Sequence, residues 1–208
     1  HNVLEPAEQL EKVILDATLG EADTGLARAL ATDARRAVQW LGEAGTKFIR
    51  VGQIVWQQHV LAPPRPITPG LDWKGRGPDV TLRVLEAALV KGGGKILRGT
   101  SARALMDTAG RCIGVEAEDA DGTALQFPAK AVVLADGGYQ ANLQMIGEHI
   151  TRAPVKLKQR GAATGVGDGL RMARALGAGT STLDTFYGHM LSRDSFTNDK
   201  VWPYPQLD

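Results

Sequence analysis

The stretch Ala131-Val132-Val133-Leu134-Ala135-Asp136-Gly137-Gly138-Tyr139 changes character at one point, where a run that is apolar on both faces of an extended chain meets an acid and two glycines. Such a run fits a central strand of a covered parallel sheet, where helices pack on both faces. Glycines just after it let a ligand come close to the backbone, and in open α/β sheets ligands lie at the carboxyl ends of the strands. The same residues also suit a tight strand-to-helix turn, with a helix begun at Ala141 or Asn142. The stretch therefore points to an α/β fold and leaves open whether its glycines serve a ligand or a turn.

Working outward toward the start of the chain, Lys95 to Arg98, Ala102 to Met106, Cys112 to Glu118 and Thr123 to Phe127 have strand periodicity, with Ala109-Gly110 and Asp121-Gly122 as separators. Asp-Gly readily takes positive φ, so Asp121-Gly122 predicts a two-residue type I′ hairpin turn. Hairpins of this kind make a small antiparallel sheet. Further upstream the period is helical. Leu10, Val13, Ile14 and Ala17, then Leu30, Ala34, Val38 and Leu41, predict amphipathic helices between Pro6 and about Gly45, with Gly20 and Gly45 as stops and Asp23 as a cap. Pro78 suits the first turn of a helix reaching Lys91, with Leu82, Leu85 and Leu89 on one face and Gly92-Gly93-Gly94 at its end. Pro63, Pro64, Pro66 and Pro69 oppose helix, so Val51 to Trp73 is predicted to be an extended surface loop.

Toward the other end, Gly161-Ala162-Ala163-Thr164-Gly165-Val166-Gly167-Asp168-Gly169 leads into a predicted helix from about Asp168 to Leu176. The first N–H groups of a helix have no internal partner and can hold an anionic or polar ligand. A glycine-rich start with Asp168 complementing the helix dipole explains the same residues without a ligand. It is not a dinucleotide fingerprint, because no strand leads into it and the glycine spacing differs.

Composition narrows the function classes. Net charge is +1, from 24 basic and 23 acidic side chains spread along 208 residues, which gives no basic field for nucleic acid or anionic lipid. No apolar stretch approaches the roughly 20 residues needed to cross a bilayer. The single cysteine, Cys112, has no second thiol for a disulfide or metal motif, and a reducing, cytoplasmic setting is expected. His1, His59, His149 and His189 lack the close spacing of a metal site, and no Ser-His-Asp or Cys-His triad is legible, so no metal is expected.

Taken together these segments resemble the fumarate reductase and succinate dehydrogenase flavoproteins, a group that includes tricarballylate and 3-ketosteroid dehydrogenases. The resemblance rests on four stretches in order: the helix and strand from Gly77 to Leu97, Arg111-Cys112-Ile113-Gly114-Val115, Ala131 to Tyr139 with Asn142, and Gly167-Asp168-Gly169-Leu170-Arg171-Met172-Ala173 with Gly177-Ala178. It implies part of a Rossmann-like FAD-binding domain, with N-terminal helices, a parallel-sheet strand and a small antiparallel sheet. Residues 1–190 would be the middle of that domain, and 191–208 the start of a substrate or capping domain. It further implies that FAD lies along Ala102, Ala135, Asp136, Gly137, Gly138 and Asp168. Tyr187-Gly188-His189 is similar to a Gln-x-His in which the histidine binds a substrate carboxylate, so His189 is the expected substrate residue. Asp136 stands where the family has Thr, and Met190-Leu191 where it has Pro-Thr, which shifts the expected substrate from fumarate toward another carboxylate such as tricarballylate. The electron donor or acceptor and the catalytic residues are not legible.

The competing possibility is a non-catalytic α/β binding module whose glycine turns are structural. Both ends of the sequence look cut, since the family's Gly-x-Gly-x-x-Gly strand and its proton-delivering arginine have no match here. The 208-residue chain alone is therefore expected to be inactive. Dye-linked assays with fumarate, succinate and tricarballylate should stay at the blank, and robust FAD-dependent turnover by the pure chain would contradict this.

Overall fold

The computed structural model describes residues 5–53, 58–64, 74–159, 161, 163–188, 190–198 and 200. They fall into two compact units, His1–Ile96 and Leu97–Asp208.

In the first unit, α1 (Ala7–Ala17) and α2 (Thr24–Glu43) pack against each other. Their contact face is built on small residues: Ala27 and Ala31, one turn apart on α2, are buried. Gly20, at φ 83°, donates its N–H to Leu15 and closes α1, as expected from the sequence. Asp23 caps α2 by accepting the Leu26 N–H at 2.8 Å. Gly45, at φ 105°, ends α2. Beyond it, β1 (Phe48–Ile49) pairs antiparallel with β2 (Val60–Leu61), two short strands the sequence pattern did not reveal. Most of the predicted Val51–Trp73 loop lies outside the described residues.

The third helix, α3 (Gly77–Lys91), has Pro78 in its first turn, as predicted. It starts close to β2, because a methyl group at Gly77 would lie 2.3 Å from the Leu61 carbonyl oxygen. The Asp79 carboxylate accepts the Gly75 N–H at 2.8 Å and pairs with Arg83 at 3.1 Å. Those two contacts, the backbone bond first, hold its carboxyl below the usual range.

The second unit is a three-stranded antiparallel meander, β3 (Ser101–Thr108), β4 (Arg111–Glu118) and β5 (Ala124–Pro128), in the order β3-β4-β5. Two short helices complete it: α4 (Leu143–His149) and α5 (Asp168–Ala175), of which α5 lies on β3. Ala117, Ile146 and Met172 are its buried apolar residues, one from the sheet and one from each helix. Among the described residues no helix is long and apolar enough to cross a membrane.

The two hairpin turns divide differently from the prediction. Ala109-Gly110, at φ 52° and 77°, forms the two-residue turn between β3 and β4. The β4–β5 connection is longer: Gly122 donates to the Asp119 carbonyl, Asp119 donates to Thr123, and in this loop only Gly122 has positive φ. The cause is Asp119, whose side chain accepts from both Asp121 N and Thr123 N and so favours a type I turn followed by a glycine in the left-handed region.

The predicted strands at Lys95–Arg98 and Ala131–Ala135 form no ladder among the described residues. Sheet pairing from β5 ends with Ala129 donating to Ile113, after which the chain leaves the sheet. Val133 is consequently 87% exposed. The mixed α/β class stands, with its described sheets antiparallel and no parallel pairing among them.

Gly114 is a position the β4–β5 pairing demands: a methyl there would sit 2.4 Å from the Phe127 carbonyl oxygen, which is backbone and cannot move aside cheaply. Gly114→Ala should lower stability by about 1–3 kcal/mol, read as a fall in the denaturation midpoint. An unchanged midpoint would show that the sheet tolerates a side chain there.

Candidate functional site

The stretch after Ala135 and the glycine run before α5 come together through bonds from several kinds of group. The Asp136 carboxylate accepts the Gly169 N–H at 2.7 Å. Ala141 N donates to the Gly165 carbonyl at 2.8 Å. The Asn142 side chain works at both ends: its oxygen caps α4 by accepting Met145 N at 3.1 Å, and its nitrogen donates to the Val166 carbonyl at 3.0 Å. Tyr139 donates its hydroxyl to the Leu183 carbonyl, while its ring meets the edge of His149 with centroids 5.9 Å apart.

The glycines follow from this stitching. A methyl at Gly165 would lie 2.1 Å from Gln140 Nε2, one at Gly167 2.8 Å from Met145 Sδ, and one at Gly169 2.0 Å from Asp136 Oδ1. Gly167 also sits at φ 84°, in the left-handed region, as the residue before α5. Local packing thus accounts for the glycine spacing, which resembles a fingerprint only on paper.

Beside the stitched segments lies a cavity of about 450 Å³. The sheet contributes Ser101, Ala102, Leu105 and Val115, the extended stretch Val132 to Asp136, and the glycine loop with α5 contributes Ala163, Thr164, Val166, Asp168 and Met172. Next to Ala102 the β3–β4 register jumps from Ala102↔Ala117 to Ala104↔Glu116, leaving Arg103 as the extra residue of a bulge. Its carbonyl accepts both terminal nitrogens of Arg171 at 3.4 Å, and Arg171 also pairs with Asp168 at 3.2 Å. The bulge thereby fixes α5 against β3 at the mouth of the cavity.

Of the residues predicted from sequence, Ala102, Ala135, Asp136 and Asp168 line this one cavity although they come from separate segments. Gly137, at φ 85°, and Gly138 follow it in the chain without lining it. His189 lies outside the described residues. Among the described residues, Asp136 and Asp168 are the only ionisable ones lining the cavity, and the rest of that lining is apolar or hydroxyl-bearing. No group of three His, Cys, Asp or Glu side chains among the described residues is placed to hold a metal. Sequence reasoning missed a second, more polar cavity of about 380 Å³ on the α4–α5 side, lined by His149, Glu148, Arg171 and Arg174 among others. The i, i+3 arginine pair on α5 was its only signal.

A family described as "FAD binding domain" matches residues 6–193. The NADH:acrylate oxidoreductase of Vibrio harveyi is 30% identical over 163 residues, which are 74% of this chain and 15% of that protein. The vinyl phenol reductase of Lactiplantibacillus plantarum is 29% identical over 202 residues, 91% of this chain and 38% of that protein. The chain thus spans well under half the length of these curated relatives. Among solved structures, the open conformation of a flavocytochrome c3 fumarate reductase has a TM-score of 0.68 at 21% identity, over 83% of this chain and 29% of that one. The 3-ketosteroid-delta4-(5alpha)-dehydrogenase of Rhodococcus jostii RHA1 has a TM-score of 0.69 at 23% identity, over 86% of this chain and 42% of that one. These two show a shared fold. With a match reaching from residue 6 to residue 193, the chain belongs to the FAD binding domain family of flavoprotein oxidoreductases.

Proposed function

We propose that this chain supplies the adenosine end of the FAD site in a reductase or dehydrogenase that exchanges hydride between the flavin and a C–C bond next to a carboxylate. The observation that carries it is the gathering of Ala102, Ala135, Asp136 and Asp168 around one cavity. The lining suits a nucleoside. Leu105, Val115, Val132 and Met172 offer apolar surface to a base, while the two carboxylates accept hydrogen bonds from hydroxyl or amino groups. It suits a pyrophosphate less, because no cation is among the described residues lining it.

Bound FAD supplies the hydride chemistry, and the protein's task is to hold and orient it. Within this chain that task falls to the β3 bulge, the Asp136 contact and the α5 start. Gly137 and Gly138 lead the backbone away from the cavity and are proposed to pass beside the ligand's pyrophosphate. His189 is proposed to donate a hydrogen bond to the substrate carboxylate.

The names of the relatives refine the substrate class. An acrylate oxidoreductase and a vinyl phenol reductase both act on compounds with an activated C=C bond, which favours alkene reduction over oxidation of tricarballylate. The family match ends at residue 193, which supports a boundary near 191 between the cofactor domain and a substrate or capping domain. An electron donor or acceptor, whose identity the chain does not specify, and a cytoplasmic setting complete the proposal.

Two measurements bear on it. In equilibrium binding to the chain, FAD and ADP should bind within about ten-fold of each other while FMN binds far more weakly, because the contacts are to adenosine. FMN binding as well as FAD would take the cavity out of the adenosine role. In an FAD-loaded, active preparation, His189→Ala should weaken apparent substrate affinity about ten- to a hundred-fold, the equivalent of roughly 1.5–3 kcal/mol for a charge-assisted bond, with flavin content unchanged. Unaltered kinetics at full flavin loading would remove His189 from the site.

A further inference from the structure

The contact between Asp136 and Gly169 joins residues thirty-three apart in the chain. Gly169 is the second residue of α5, so its N–H is one of those a helix start leaves without an internal partner. The residue in the local cap position is Gly167, which has no side chain, and no local side-chain cap bond forms. Asp136 therefore does from a distance what an aspartate at the cap position does locally. The fit is tight, since a methyl at Gly169 would fall 2.0 Å from Asp136 Oδ1. Gly169 is buried and lies in an ordinary helical conformation, where alanine normally strengthens a helix. The three atoms a methyl there would meet first all belong to Asp136.

We propose that Asp136 is a positioning residue of the adenosine cavity, with Gly169 as its obligate partner. Its carboxylate pins the start of α5, and with it Thr164, Val166 and Asp168, against the wall formed by Val132 to Asp136. This rests on the assignment of the cavity to the adenosine end of the FAD site. The pin also sets what the cavity accepts. An unoccupied helix start attracts anions, but here a carboxylate of the protein already takes the Gly169 amide. Asp168 adds a second carboxylate to the lining, and like charge disfavours a phosphate beside either acid. The ligand's neutral nucleoside end is selected, and its charged end is turned outward.

The test is a double-mutant cycle on the 208-residue chain with Asp136→Ala, Gly169→Ala and both together, plus Asp136→Asn. Gly169→Ala should lower the thermal midpoint when Asp136 is present and leave it unchanged or raise it when Asp136 is alanine. Additive effects would overturn the pin. FAD affinity, measured well below every midpoint so that stability does not enter, should fall about ten-fold in Asp136→Ala. That is the lower end for a charge-assisted bond, because the rest of the Asp136 side chain is open to solvent. Asp136→Asn keeps an acceptor oxygen and should restore most of that affinity, whereas the similarly shaped Asp136→Leu, which fills the space without an acceptor, should not; equal rescue by both would reduce Asp136 to a space-filling role. Wild-type affinity in Asp136→Ala would overturn the positioning role. If the unmutated chain binds neither FAD nor ADP, the adenosine assignment and the positioning role fall together. The cycle, with backbone amide exchange at Gly169, then still decides the pin: faster exchange in Asp136→Ala supports it and equal exchange refutes it.

Discussion

The N–H groups at the start of a helix must find acceptors, and α5 starts with a glycine that has none to offer. Asp136 provides one from the far side of the unit. That bond, with those of Ala141 to Gly165 and of Asn142 to Val166, brings the loop before α5 onto the stretch that precedes α4, and Gly165, Gly167 and Gly169 each lie against side chains from residues 136–145. The cavity lies between these walls and the sheet, on whose first strand α5 packs. Its acidic character follows too, since the group that closes the helix start is an anion.

Much of this was legible beforehand. Gly20, Asp23, Gly45, Pro78 and Gly92 each punctuate a helix where their chemistry says they should, because capping and helix termination are local effects. The meander was legible for the same reason. The residues selected for the cofactor by resemblance, Ala102, Ala135, Asp136 and Asp168, were brought to one cavity by the fold. What was not legible depended on a partner elsewhere. Asp121-Gly122 had the right residues for a type I′ turn, and a side chain two positions earlier redirected it. Val60-Leu61 is too short to have a period at all.

Ala131 to Ala135 teaches a more general point. An apolar run fixes the capacity to be a central strand, but a strand is made by neighbours that supply donors and acceptors on both sides. In the described residues those neighbours are missing, and the run stays extended and exposed. Its sequence and its surroundings therefore speak to different things: the first to the class of fold in which such a strand is used, the second to the pairing found here. The glycine run before α5, which the sequence already set apart from a dinucleotide fingerprint, shows the same separation, since a methyl at Gly165, Gly167 or Gly169 would meet side chains from residues 136–145.

The division of labour inside the site follows from charge. A pyrophosphate favours cations, and none is among the described residues lining the cavity, whereas a nucleoside asks for a flat apolar surface and a few acceptors. The resemblance placed adenosine and pyrophosphate beside the same short stretch of chain. Within that stretch Ala135 and Asp136 line the cavity, whereas Gly137, at φ 85°, does not. On the proposed adenosine reading, Asp136 would mark the boundary between the neutral and charged parts of one ligand. Because Asp136 is bonded to the start of α5, any change that releases the helix start would, on that reading, also alter which half of the cofactor the cavity prefers.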